Sequence, residues 1–216
     1  MRDDDTIAAI ATANGRSAIG IIRISGPDVG AILNKHAPSI RPRRATLVDF
    51  CDDKHEKIDS VIMIYYKSPH SYTGEDLIEI QTHGNPIILE KIMNNLCPKN
   101  ARQARAGEFT ERAFLNNKID LLQAEATIDL INSSSIAAAN SAMKSLSGTY
   151  SVQVTEIKND IIKTRSSIEA IINFPEDETT SFDQRRIGKE FEMVQEKIKR
   201  LLSSTEKGIK LNENAE

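Results

Sequence analysis

The hydrophobic period of this 216-residue chain changes once, near Asp120, and that change limits the folds open to it. Before it, apolar residues come in short β-branched runs separated by Gly, Pro and Asn, the pattern of strands joined by turns. After it, they recur three and four residues apart, which is the helical repeat. Such a chain builds a sheet with a few helices first and a helical region second, an α+β protein whose second part is all-α.

In the first part, Thr6 to Thr12 and Ala18 to Ile24 read as paired strands about Asn14-Gly15. Pro27 starts a helix of about two turns towards Lys35. Ile58 to Tyr66 and Asp76 to His83 are further strands, and Pro86 to Leu96 is an apolar helix that stops before Pro98. The run Gly-Glu-Phe-Thr-Glu-Arg from Gly107 opens another helical segment. In the second part, Leu121, Leu122, Ala124, Ile128 and Ile131 mark a helix over Asp120 to Ile131. Ser133 or Ser134 caps a second helix, predicted to run unbroken to Ile172 and to stop at Asn173-Phe174-Pro175, since proline cannot continue it. After the acidic stretch PEDETTSFD, a last helix runs from about Gln184 to Thr205 with Ile187, Phe191, Val194, Ile198 and Leu201 on one face. Ile and Val recur on more than one face of the long helix, which predicts exposed apolar residues in this half.

Charge and composition narrow the function. The net charge of −3 gives no global attraction to nucleic acid or an anionic membrane, so any RNA contact is local. Cys51 and Cys97 form neither a C-x-x-C nor a Cys/His cluster, which argues against a disulfide framework or structural zinc. Acids stand at the N-terminus where a signal peptide has a basic start, and no apolar run nears the roughly 18 residues of a membrane span. A soluble cytoplasmic protein is the expectation. Neither GxxxxGK[ST] nor the Rossmann glycine pattern occurs in the 216 residues.

The polar residues worth following lie mainly between Ser71 and Ile131. Arg23, in IIRIS, and Glu79, in DLIEIQTH, are single charges inside apolar strands. Each either faces solvent or is paired, and a carboxylate so placed suits the adjacent N–H groups of a flat heterocycle. Strand alternation puts Gln81 on the face of Glu79. His83-Gly84-Asn85-Pro86 joins a strand to a helix; its N–H groups can meet an anion, while His83 has no nucleophile beside it and reads as a turn residue. Lys99, Arg102, Arg105, Arg112 and Lys118 form a local basic cluster, either a receiver of carboxylate or phosphate or a solvated face, partly neutralised by Glu108 and Glu111.

The segments DTIAAIAT, NGRSAIGIIRISGP, SYTGEDLIEIQTHGNP, ARAGEFTERAFLNNKIDLLQAEATIDLI, SLSGTYSVQV and EAIINFPEDE together resemble the N-terminal part of the bacterial and organellar tRNA-modification GTPases, the MnmE/TrmE family. The resemblance runs from Asp5 to about Leu211. It implies a domain over residues 1–118 that binds a tetrahydrofolate derivative, 5-formyl- or 5,10-methylene-tetrahydrofolate, forms a homodimer, and is similar in fold to folate-dependent aminomethyltransferases. Residues 119–211 would be the first part of a helical domain, and residues 212–216 a tail outside the match. Arg23, Glu79 and Lys118 fall on the family's folate-contact positions, and no catalytic or metal-binding residue is assigned. The implied partners are a flavoprotein subunit and tRNA, in modification of the wobble uridine at C5. GTP, Mg and K belong to a GTPase domain whose motifs are not in this sequence, so the chain is expected to bind folate and not GTP. The alternative is a dimeric scaffold that holds the flavoprotein or tRNA without folate. A stand-alone aminomethyltransferase is disfavoured, because no residue is poised to activate an amine donor.

Overall fold

The computed structural model describes residues 5–97, 99–173 and 181–213, with the side chains of 173, 181–184 and 204–213 not described. Residues 174–180, which hold Phe174, Pro175 and most of the acidic stretch, and residues 214–216 lie outside the described residues. The chain divides into two units, Met1–Ile119 and Asp120–Glu216.

The first unit is a six-stranded mixed sheet. Its strands are β1 (Ile7–Ile10), β2 (Ile19–Ser25), β3 (Thr46–Cys51), β4 (Lys57–Tyr66), β5 (Leu77–His83) and β6 (Arg102–Gln103), in the order β3-β4-β5-β2-β1-β6. Every pairing is antiparallel except β1 with β6. The hairpin expected about Asn14-Gly15 joins β1 to β2, though its strands are shorter than the apolar runs that announced them. The edge strand β3 was not foreseen; Thr46, Val48 and Phe50 alternate with Leu47, Asp49 and Cys51, too weak a stripe to stand out.

One face of the sheet carries the core. Ile22, Ile24, Met63, Ile78 and Ile80 are fully buried there, packed with Val29, Ile32 and Leu33 of α1 (Val29–His36) and Leu89, Ile92 and Leu96 of α2 (Pro86–Leu96). Each such side chain contributes about 1.5–3 kcal/mol by leaving water. The α2 helix starts where Asn85 accepts from the Ile87 N–H at 3.0 Å and Pro86 needs no partner for its missing N–H. Gly84 precedes it because a Cβ there would lie 2.1 Å from Ser17 Oγ. The short helix α3 (Glu108–Leu115) follows β6.

The second unit is all-α: α4 (Leu121–Asn132), α5 (Ile136–Leu146), α6 (Thr149–Asn173) and α7 (Ser181–Glu213). Asp120 and Gln123 cap α4 reciprocally, and Ser135 caps α5 by accepting from the Ala138 N–H. The unbroken helix expected from Ser133 or Ser134 to Ile172 is two helices. Gly148, with φ of 80°, takes the left-handed position that ends α5, and its N–H donates to Ser145 O at 3.0 Å. The helix α7 is longer at both ends than predicted, and Phe191, expected on its apolar stripe, is 63% exposed while Val194 is buried. Exposed apolar residues do line this unit, among them Ile131, Ile136, Val152 and Ile172.

Candidate functional site

The second face of the sheet holds the polar groups. Antiparallel partners share a face, so the pairs Ala9 with Arg23, Arg23 with Glu79 and Glu79 with Ile64 set Arg23 and Glu79 side by side at its middle. Arg23 Nε donates to Glu79 Oε1 at 2.8 Å, and the Tyr66 hydroxyl lies 3.4 Å from Glu79 Oε2. The carboxylate is 16% exposed, so it is paired yet reachable. Two donors take one lone pair on each oxygen and leave one free on each, the arrangement that accepts a planar pair of N–H groups. Burial, then the Glu79 charge, push the Tyr66 phenol up from its usual value.

Aromatic rings flank the pair. The Arg23 guanidinium sits 5.5 Å above the Tyr72 ring, and Tyr72 in turn shares a 2.9 Å hydrogen bond with Thr110 of α3. Lys118, the third residue after α3, donates to the carbonyl of Pro69 at 2.9 Å and its stem packs on Gly74. Arg23 and Glu79 are thus in direct contact, whereas Lys118 joins them through the 67–76 segment that also carries Tyr72. Sequence reasoning missed Tyr66 and Tyr72; an aromatic at the end of an apolar strand and another in the polar loop after it were the signals.

The same face is closed at one end and open at the other. Ser25 Oγ meets Thr73 Oγ1 at 2.6 Å and Glu75 at 2.7 Å, and Arg112 of α3 bonds Glu75 at 3.2 Å. Towards the opposite end Ile19, Ile62 and Leu47 are exposed.

The basic cluster is not an open anion receiver. Arg102 Nε donates to Asp5 at 2.6 Å and its NH1 to Glu108 at 2.8 Å; Arg112 donates to Asp5 at 2.7 Å; Arg105 pairs with Glu111 at 2.9 Å; Lys99 pairs with Asp53. Glu108 and Arg112 are buried, and the hydrogen bond from Arg102 holds Glu108 down to about 2 against the opposing effect of burial. Arg102 likewise holds Asp5 below its usual range. Glu108 and Glu111 were visible beside the cluster in sequence, whereas Asp5 and Asp53, which complete its pairing, are distant, so spacing alone left it only partly neutralised. Among the described residues Lys118 is the one of the five cations without a carboxylate partner, its ammonium donating to the Pro69 carbonyl.

His83, expected in a turn, is the last residue of β5 and pairs with Ile19 of β2. Its Nδ1 lies 2.8 Å from Asp59 Oδ1, and its backbone N–H donates to Asp59 Oδ2 at 3.0 Å, so buried Asp59 fastens β4 to β5 where their pairing ends. Among the described residues no Ser hydroxyl or Cys thiol bonds to either of them. The start of α2, offered as an anion site, is satisfied internally, since the Gly84 N–H donates to Ala18 O and Asn85 takes the Ile87 N–H. Among the described residues no cluster of His, Cys, Asp and Glu has metal-ligand geometry, and no helix is long and apolar enough to cross a membrane.

The protein is thus a mixed sheet with a half-buried charge pair on its second face, followed by a helical unit. Residues 6–118 match the family model for the GTP-binding protein TrmE N-terminus, and residues 121–214 match that for the MnmE helical domain. The chain therefore belongs to the TrmE/MnmE family. It is 47% identical over 214 residues to the tRNA modification GTPase MnmE of Francisella tularensis subsp. novicida (strain U112), covering 99% of this chain and 47% of that protein. To the tRNA modification GTPase MnmE of Legionella pneumophila (strain Corby) it is 42% identical over 212 residues, covering 97% and 47%. The chain spans about half the length of the curated relatives it matches.

Proposed function

We propose that this chain binds a tetrahydrofolate derivative, 5-formyl- or 5,10-methylene-tetrahydrofolate, on the second face of its sheet, as the one-carbon-binding part of a protein acting in tRNA wobble-uridine modification at C5. The observation that carries this reading is the Glu79 carboxylate, held by Arg23 and Tyr66 with one lone pair open on each oxygen. The amino group and ring N–H of a pterin form the matching fork, and Arg23 and Lys118 suit the ligand's carbonyl or carboxylate oxygens. The bound folate would supply the one-carbon unit; the residues of this chain bind and orient it. The relatives named for tRNA modification support the setting, and a cytoplasmic location accords with such a role.

The exposed Ile19, Leu47 and Ile62 on that same face support self-association of the sheet unit as a homodimer. A flavoprotein subunit and tRNA are the further partners. Calorimetric titration with 5-formyltetrahydrofolate tests the site. Saturable binding lost in Glu79→Ala is the expected result, and unchanged affinity in that variant removes Glu79 from the site.

The exposed apolar residues of α4 to α7 favour one other reading, a dimeric scaffold that holds the flavoprotein or tRNA without folate. A chain that co-purifies with the flavoprotein and shows no folate saturation selects it.

A further inference from the structure

Residues Arg41 to Arg44 make a turn, closed by the Arg44 N–H on the Arg41 carbonyl at 3.2 Å, in which Pro42 stands second and Arg43 third with φ of 60°. With proline second and a left-handed residue third, glycine is the residue that fits without strain, because a Cβ crowds the backbone there. Arginine occupies the place instead. Its N–H donates to Tyr65 O at 2.7 Å, which fixes the turn against the end of β4, and its guanidinium lies 5.7 Å over the ring of Tyr66, the residue whose hydroxyl faces Glu79.

The charge of Arg43 is not spent on a carboxylate. Its NH2 group donates to the carbonyl of His70 at 2.7 Å, and Lys118 donates to the carbonyl of the preceding residue, Pro69, at 2.9 Å. Two cations from distant parts of the chain thus converge on consecutive neutral carbonyls of one loop. Arg23 is offset by Glu79, so Arg43 and Lys118 leave the site with an excess of positive charge. A guanidinium lying against an aromatic ring keeps N–H groups at its edge for a second partner.

We propose that Arg43, with Lys118 beside it, is the anion-recognising residue of this site, so that a ligand whose flat head meets Glu79 directs a carboxylate-bearing tail to the Pro69-His70 end. This rests on the folate reading above and adds to it the orientation of the ligand and the residue that distinguishes tailed from tailless heads. Arg41, Arg43 and Arg44 are all exposed, which raises RNA phosphate as the competing source of anion; the place of the Arg43 guanidinium over Tyr66, whose hydroxyl meets Glu79, favours the small ligand.

The test compares two probes on the full chain, 5-formyltetrahydrofolate and a 5-formyl-6-methyltetrahydropterin that has the head and no tail. Arg43→Gly is expected to weaken the first by about tenfold, the scale of one charge-assisted hydrogen bond, and to leave the second unchanged. Its thermal midpoint should hold or rise, since glycine suits the turn. Arg43→Lys should recover part of the loss. Equal weakening of both probes together with a lowered midpoint would make Arg43 a structural pin and overturn the proposal. So would unchanged binding of both probes with weakened binding of a tRNA transcript. Wild type and Glu79→Ala keep the two claims apart. If the wild type binds neither probe, the folate reading fails. If Glu79→Ala binds both as the wild type does, the site at Glu79 fails and the tail assignment with it, whereas if Glu79→Ala removes both and Arg43→Gly changes neither, only the tail assignment fails.

Discussion

In the sheet unit the fully buried side chains include many large ones, Ile22, Ile24, Met63, Ile78 and Ile80 among them, whereas in the helical unit the described residues that reach burial are mostly small, Ala126, Ala138, Ala142 and Thr164, with Val194. Ile131 and Ile136 of the helical unit stand 77% and 83% exposed. The sheet unit closes a core on one face and keeps the other for polar chemistry. The helical unit brings its backbones together through small residues and leaves its large ones outward. Side chains of the same kind therefore carry different weight in the two units, and stability should reside mainly in the first.

That difference can be broken at the buried charge network first. Glu108→Ala leaves Arg102 and Arg112 without a buried partner and should cost the sheet unit about 3–5 kcal/mol in denaturant unfolding, while the far-ultraviolet signal of the helical unit stays in place. The pH dependence follows from the same carboxylates. Glu108 and Asp5 titrate lower in the folded state than in the unfolded chain, so their contribution is whole above about pH 4.5 and is lost as the pH falls towards 2. An acid titration of wild type against Glu108→Gln should show that loss in the first and a flattened curve in the second.

A matched pair of core and surface substitutions sharpens the comparison further. Ile80→Ala should destabilise by about 2–5 kcal/mol, and Ile136→Ala by roughly 0.5 kcal/mol or less, because the first empties a packed site and the second trims an exposed one. Comparable losses at both positions would show that the helical unit hides its large residues in solution.

Much of this was legible in the chain. The switch of period near Asp120 announced a sheet followed by helices, and the apolar runs of β2, β4, β5 and α2 stood out because each carries a continuous buried face. What escaped was held by contacts remote in sequence or by a single backbone angle. Gly148 divides α5 from α6 through one left-handed residue that the helical spacing around it conceals. Arg102 and Arg112 looked available because Asp5, which they share, lies about a hundred residues earlier. Arg23 and Glu79 could be picked out as charges within apolar strands; that they bond to each other depends on the register of β2 against β5, which neither strand encodes alone. Tyr66 and Tyr72 showed only as an aromatic ending an apolar strand and another in the loop after it, and Arg43 carries no local pattern; the fold sets Tyr66 and Tyr72 around the pair and Arg43 over Tyr66.

The most direct measure of the central claim is a backbone amide NMR titration of the full chain with 5-formyltetrahydrofolate. The account predicts that the perturbed resonances map to β2 and β5 around Arg23 and Glu79 and to the 67–76 segment, with α4 to α7 unmoved. Perturbations confined to the helical unit, or none at saturating ligand, would contradict it.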